Sequence, residues 1–154
     1  MATLKNYYLT KEKHQALKEE LECLRTTERR EIATAIDYAK SLGDLSENAE
    51  YHEAREKQAD LEDRIAEIEE LLRHAKIIVS HHSSTVEVGT TVVMNRGAGD
   101  ESFIIVGSEE TDLAVGRISH ESPLGAALLG HEKGDKVKVV TPRGEVEYQI
   151  IEIK

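Results

Sequence analysis

Two carboxylates, Asp44 and Glu47, stand three residues apart in the string GDLSENAEY at residues 43–51. That spacing admits two kinds of chemistry. Asp followed three residues later by Glu is a capping box, which starts a helix by itself. Two carboxylates one helical turn apart can also converge on a divalent cation. Mg²⁺ is usually held by one or two carboxylates, with waters and substrate phosphates completing its shell. Such a site is weak alone and becomes useful when a second molecule supplies further ligands, as two-metal phosphodiester chemistry requires. Spacing leaves both readings open, and Asp44 can serve them in turn, as cap and then as ligand. Asn48, Glu50, Tyr51 and His52 crowd the next two turns, more functional groups than a turn needs, with His52 better suited to contact than to catalysis. Lys40 and Arg55 flank the string and can meet the phosphates of a nucleic acid. Together with Arg29, Arg30, Lys57 and Arg64 they also fit the solvated charges of an exposed helix.

The elements that carry these residues are legible in the apolar spacing. Thr10 is a predicted N-cap, and Leu17, Leu21, Leu24, Ile32, Ala35, Ile36 and Ala39 follow at three- and four-residue steps. The run TTERRE interrupts that stripe, which predicts a local shift of register or a stretch where the partner helix supplies only side-chain stems. Gly43 stops the helix. From Leu45, the residues Tyr51, Ala54, Gln58, Leu61, Ile65, Ile68, Leu72 and Ala75 form an a/d seam, uninterrupted by Gly or Pro over 44–76. Two such arms fold back on each other about the turn, pairing Ala39 with Tyr51, Leu24 with Ile65, Leu21 with Ile68 and Leu17 with Leu72. At 1.5 Å per residue, about 33 residues per arm makes a rod of about 50 Å. A second domain of about 75 residues has a radius of gyration near about 11 Å, so the rod is expected to project, presenting its acidic tip to something outside the molecule.

Composition narrows what that something is. The chain has 154 residues, 39% hydrophobic but only 4% aromatic and without Trp, so its cores are aliphatic and a deep aromatic ligand pocket is not expected. The formal charge of −10 is spread through both halves, which argues against holding duplex DNA by phosphate neutralisation alone and leaves nucleic acid to be met only locally. Cys23 is the single cysteine. It forms neither an internal disulfide nor a structural zinc site, which points to a cytosolic location. No secretory signal and no apolar run of about 18 residues is present. His81 and His82 are adjacent in a polar stretch without a third ligand, and no P-loop, GxSxG or dinucleotide fingerprint appears. An enzyme sufficient in itself is not expected.

Beyond Ile77 the helical period gives way to IIV, TTVVMN, SFIIVG, KVKVVT and EVEYQIIEI, separated by Gly, Asp and Ser. These predict a small antiparallel sheet. Pro142, Arg143 and Gly144 turn its last hairpin, with Val146, Tyr148, Ile150 and Ile153 as core candidates. Ser122 as cap, Pro123 at the first helical position and Gly130 as stop delimit one short helix packed by Leu124, Leu128 and Leu129. The expected plan is α+β: an antiparallel coiled-coil hairpin over 1–76 with its tip at 43–51, a linker over 77–85, and a C-terminal domain over 86–154.

With GDLSENAEYHEARE at the tip and ISHESPLGAALLGHEKGDKVKVVTPRGEVEY in the second domain, the chain closely resembles the bacterial GreA/GreB transcript cleavage factors across essentially its whole length. The resemblance implies an FKBP-like C-terminal fold and RNA polymerase as partner. It implies that the coiled coil enters the polymerase secondary channel, where Asp44 and Glu47 help hold a catalytic Mg²⁺ and orient water for cleavage of a backtracked RNA 3′ end. The cleavage activity is then the polymerase's own, and Mg²⁺ is bound only in the complex. Arg55 matches the family's basic residue behind the tip. Lys40 stands where an Arg is usual, keeping charge but losing the planar fork. Ser122 and Pro123 match the polymerase-docking segment. Within the family, the acidity and sparse basic patch are more similar to GreA than to GreB. Alternatives are a channel-blocking inhibitor without cleavage, which the intact acidic pair disfavours, a prolyl isomerase, disfavoured by Phe103 being the only Phe, and a coiled-coil adaptor, which leaves the tip acids without purpose.

Overall fold

Thr10 caps the first helix as expected, its hydroxyl oxygen accepting from the Lys13 amide at 3.2 Å. A computed structural model describes residues 6–79 and 83–154. Helix α1 (Lys11–Cys23) runs without a break through a π-helical segment at Leu24–Glu28 into α2 (Arg29–Ser41), and α3 (Ala49–Arg73) follows the tip. The π turn lies over the start of TTERRE, where the apolar stripe breaks. A π turn inserts one extra residue into the helix, so the stripe resumes one position later.

Two compact units emerge: one joins the N-terminal segment through Lys13 to Ala75–Lys154, and the other is His14–His74. In the helical unit Leu17, Leu21, Leu24, Ile36 and Ala39 are buried together with Ala54, Leu61, Ile65, Ile68 and Leu71. Two expectations shift here. Ala35 is exposed, and Leu71 takes the buried place expected of Leu72, which is half-buried. The first arm changes register at the π turn, so a single seam register cannot hold from tip to base. Charged pairs tie the arms together: Arg29 grips Glu62 with a two-pronged fork at 2.9 and 2.7 Å, Arg64 reaches Glu20 at 2.8 Å, and Arg25 meets Glu69.

The other unit holds two sheets. Strands β1 (Tyr7–Leu9) and β2 (Ala75–Ile77) pair in parallel, which is why the N-terminal segment groups with the C-terminal half. Ile77, expected in the linker, is thus part of a strand, while Ser80, His81 and His82 lie outside the described residues. Strands β3 (Thr91–Asn95), β4 (Asp100–Val106), β5 (Arg117–Ser119), β6 (Lys136–Thr141) and β7 (Gly144–Ile153) form a second sheet in the order β5-β4-β3-β7-β6. It is mixed rather than purely antiparallel, because the chain leaves β4 through two short 3₁₀ turns and returns as β5 alongside it in the same direction. Three residues of β5 are too few to show a strand period in sequence. The core gathers Val92, Met94, Ile105, Ile118, Val137, Val139, Tyr148 and Ile150 under Leu128 of α4 (Pro123–Leu128), with Val146, Ile153, Leu124 and Leu129 at its margin. Alternation along β7 therefore reads as expected. Gly125 is required where it is: a Cβ there would lie 2.0 Å from the Ser119 carbonyl oxygen.

Candidate functional site

Between Ser41, the last residue of α2, and Ala49, the first of α3, the chain must reverse. Gly43 does so at φ +114°, a left-handed conformation suited to glycine. The capping box does not form. Asn48, not Asp44, caps α3: its Oδ1 accepts from the Tyr51 amide at 3.0 Å, and its Nδ2 donates to the Ala39 carbonyl at 2.7 Å, joining the ends of both helices. Asp44 and Glu47 precede the helix, both exposed, in the turn that Asn48 closes.

Asp44 is ordered by Ser46. One oxygen, Oδ1, accepts from the Ser46 amide at 3.0 Å and from its hydroxyl at 2.7 Å. The hydroxyl first, then the amide, hold the Asp44 carboxyl below the usual aspartate range. Ser46 is held in turn: His52 donates from Nε2 to its carbonyl at 3.3 Å, with the imidazole edge-on to Tyr51. Glu47 makes no hydrogen bond or ion pair among the described residues. No group of three His, Cys, Asp or Glu side chains able to hold a metal occurs among those residues. The tip therefore offers a cation two carboxylates at most, which fits a hard ion completed by another molecule.

The cations behind the tip divide into two sets, with Arg30 joining Lys40 and Arg55 in having no carboxylate partner among the described residues. Arg29, Arg64 and Lys57 are matched to carboxylates within the hairpin, Lys57 pairing with Glu53 at 2.6 Å. The Lys40 ammonium has no partner among the described residues, and Arg55 donates only to the neutral Gln58 amide at 2.6 Å. Both are exposed, so their charge remains uncompensated for an outside anion.

In the other unit, Ser122 does what its position as cap demands, accepting from the Gly125 amide at 3.0 Å and donating to the Ser119 carbonyl at 2.7 Å. Pro123 is exposed beside it. They border an apolar groove of about 410 Å³ with Phe103, Leu124, Pro142 and Tyr148 in its lining. Leu113 and Val140 stand on the same groove 75% and 69% exposed. Val140 did carry a signal, since the alternation of KVKVVT sets it on the lysine face of β6, whereas Leu113, in a three-residue turn, carried none. Ser46 and Asn48 did carry a signal, since Asp-x-Ser favours an Asx turn and Asn is among the strongest helix caps.

Residues 7–77 match the family described as transcription elongation factor, N-terminal, and residues 81–154 match transcription elongation factor, GreA/GreB, C-term. The chain belongs to the GreA/GreB family. It is 44% identical over 158 residues to transcription elongation factor GreA of Bacillus anthracis (strain CDC 684), covering 100% of both chains. It is 45% identical to GreA of Halalkalibacterium halodurans over the same span, again covering 100% of both. Among solved structures it is similar to the GreA factor homolog 1 protein of Thermus thermophilus, with 26% identity, a TM-score of 0.45, and 97% of this chain and 99% of that one covered. Like its GreA relatives, this chain is a transcription elongation factor. No helix among its described residues is long and apolar enough to cross a membrane.

Proposed function

We propose that this GreA/GreB factor binds RNA polymerase, inserts its helical hairpin into the secondary channel and stimulates the polymerase's own cleavage of backtracked RNA, releasing arrested elongation complexes in the cytoplasm. One observation carries the reading: Asn48 supplies the cap of α3, so Asp44 and Glu47 are exposed, with Asp44 Oδ2 and the Glu47 carboxylate unbonded among the described residues. A pure turn would use its acids as caps, and this one leaves them to a partner.

Asp44 and Glu47 would hold a Mg²⁺ shared with the polymerase, which when bound makes water a stronger nucleophile and stabilises charge on the leaving oxygen. The remaining work falls to the chain's own residues. The Ser46 bonds orient Asp44. Lys40 and Arg55, lacking carboxylate partners, would draw RNA phosphates toward the tip, Lys40 as a point charge and Arg55 as a planar fork. Pro123 and the apolar groove beside Ser122 would dock on the polymerase, since exposed Leu113 and Val140 gain most from being covered.

The test is a stalled, backtracked elongation complex with labelled RNA. Wild type is expected to release 3′ fragments, while Asp44→Ala and Glu47→Ala each lower the cleavage rate by about 100-fold, on the scale of removing one preorganised charge-stabilising group. Both variants should still bind polymerase. Undiminished cutting by both would remove the metal assignment, and wild type that binds and slows synthesis without cutting would make the protein an inhibitor.

A further inference from the structure

The tip treats its two carboxylates differently, and the difference lies in Ser46. Asp44 Oδ1 receives two hydrogen bonds from this one residue, whereas Oδ2 receives none among the described residues. Ser46 cannot drift with its cargo, because its carbonyl is held by His52 from the first turns of α3. That helix start is itself tied to the end of α2 by Asn48. A chain of contacts thus runs from both helices to one oxygen of Asp44. Glu47, exposed and without such contacts among the described residues, has none there to fix its rotamer.

We propose that Ser46 is a positioning residue, holding Asp44 in one rotamer with Oδ1 occupied and Oδ2 open toward the shared divalent cation. The inference rests on the functional reading of the tip given above. An exposed aspartate on a loop samples three staggered χ1 wells, so only a fraction of encounters would present the carboxylate correctly. Two bonds converging on one oxygen remove that averaging before the partner is met. A ligand held in its productive geometry raises the rate of the assembled complex rather than the strength of docking. Ser46 need not touch the cation, the water or the RNA to have this effect.

The experiment compares full-length wild type, Ser46→Ala and Ser46→Thr by two readouts. In the isolated protein, three-bond Hα–Hβ couplings of Asp44 report its χ1 populations. Wild type and Ser46→Thr, which keeps the hydroxyl, should show one dominant rotamer, and Ser46→Ala, which loses the hydroxyl bond but keeps the amide one, should show partial averaging. In backtracked complexes, Ser46→Ala should lower the maximal cleavage rate by about 2- to 3-fold, up to the limit set by one χ1 rotamer of three, because the amide bond to Oδ1 remains. The half-saturating factor concentration should be unchanged, and Ser46→Thr should restore the rate. Averaged couplings in wild type, couplings unaltered by Ser46→Ala, or a loss confined to half-saturation would each overturn the proposal. Should wild type stimulate no cleavage at all, the tip reading fails separately, and the couplings still decide whether Ser46 orients Asp44.

Discussion

Asn48 uses both ends of its amide, accepting from the Tyr51 amide and donating to the Ala39 carbonyl. An Asn48→Ala variant loses a helix cap, a change worth about 1 kcal/mol, and leaves the Ala39 carbonyl short of a partner. The expected loss is about 1–2 kcal/mol, read from the urea midpoint. Asn48→Asp keeps the acceptor and loses the donor, so it should fall between. Asp44→Ala removes only contacts within an exposed turn and should cost less than about 0.5 kcal/mol. From the spacing, the cap falls on Asp44 alone, although Asn48 is an equally acceptable cap residue. Geometry chooses. Asn48 both accepts from the Tyr51 amide and donates to the Ala39 carbonyl at the end of α2, a second bond that an ionised aspartate cannot make.

Across the helical arms, the Arg29–Glu62 fork is the best-formed pair, and its bond to Arg29 holds the Glu62 carboxyl below the usual glutamate range. The sign follows from linkage: a carboxylate depressed by folding stabilises above its unfolded pKa, and that stabilisation is lost as pH falls through the folded value. Glu62→Gln should therefore lower the melting temperature at pH 7 and do so progressively less as pH falls below the usual glutamate range, while 1 M salt shrinks the pH 7 effect because the pair is solvent-exposed. An effect independent of both pH and salt would assign it to packing. Such cross-arm partners were not legible in sequence, which shows the charges but not which of them meet. The arms themselves were legible, because a heptad stripe has one physical solution in water, the burial of its seam. TTERRE marked a register shift or a stretch of side-chain stems without choosing between them, and the burial of Leu71 instead of Leu72 depends on how two helices face each other, which no single stripe contains.

On the scale of the whole molecule, the proposed function divides its labour between a helical unit that carries charge and a sheet unit that carries an apolar groove. The N-terminal strand β1 escaped sequence reading, since Tyr7–Leu9 is short and finds its partner at Ala75–Ile77, far away in the chain. The β6–β7 hairpin and the cap of α4 did not escape, because turn residues and the Ser-Pro pair act locally. If the division of labour holds, substitutions in the two units must fail in different ways. Val140→Asp places a charge on an exposed edge of the groove, outside the core formed by Val137 and Val139. It should leave the melting temperature nearly unchanged and raise the half-saturating concentration in cleavage assays by about 10-fold, the loss of one interface anchor. The rate at saturation should equal that of wild type, because every bound factor still presents an intact tip. Asp44→Ala should do the reverse, saturating at the wild-type concentration with a far lower plateau. Since the net charge of −10 gives the chain little affinity for nucleic acid by itself, added duplex DNA should compete with neither effect. A Val140→Asp variant that lowers the plateau instead would mean that the groove helps set the tip, and that the two units do not contribute separately.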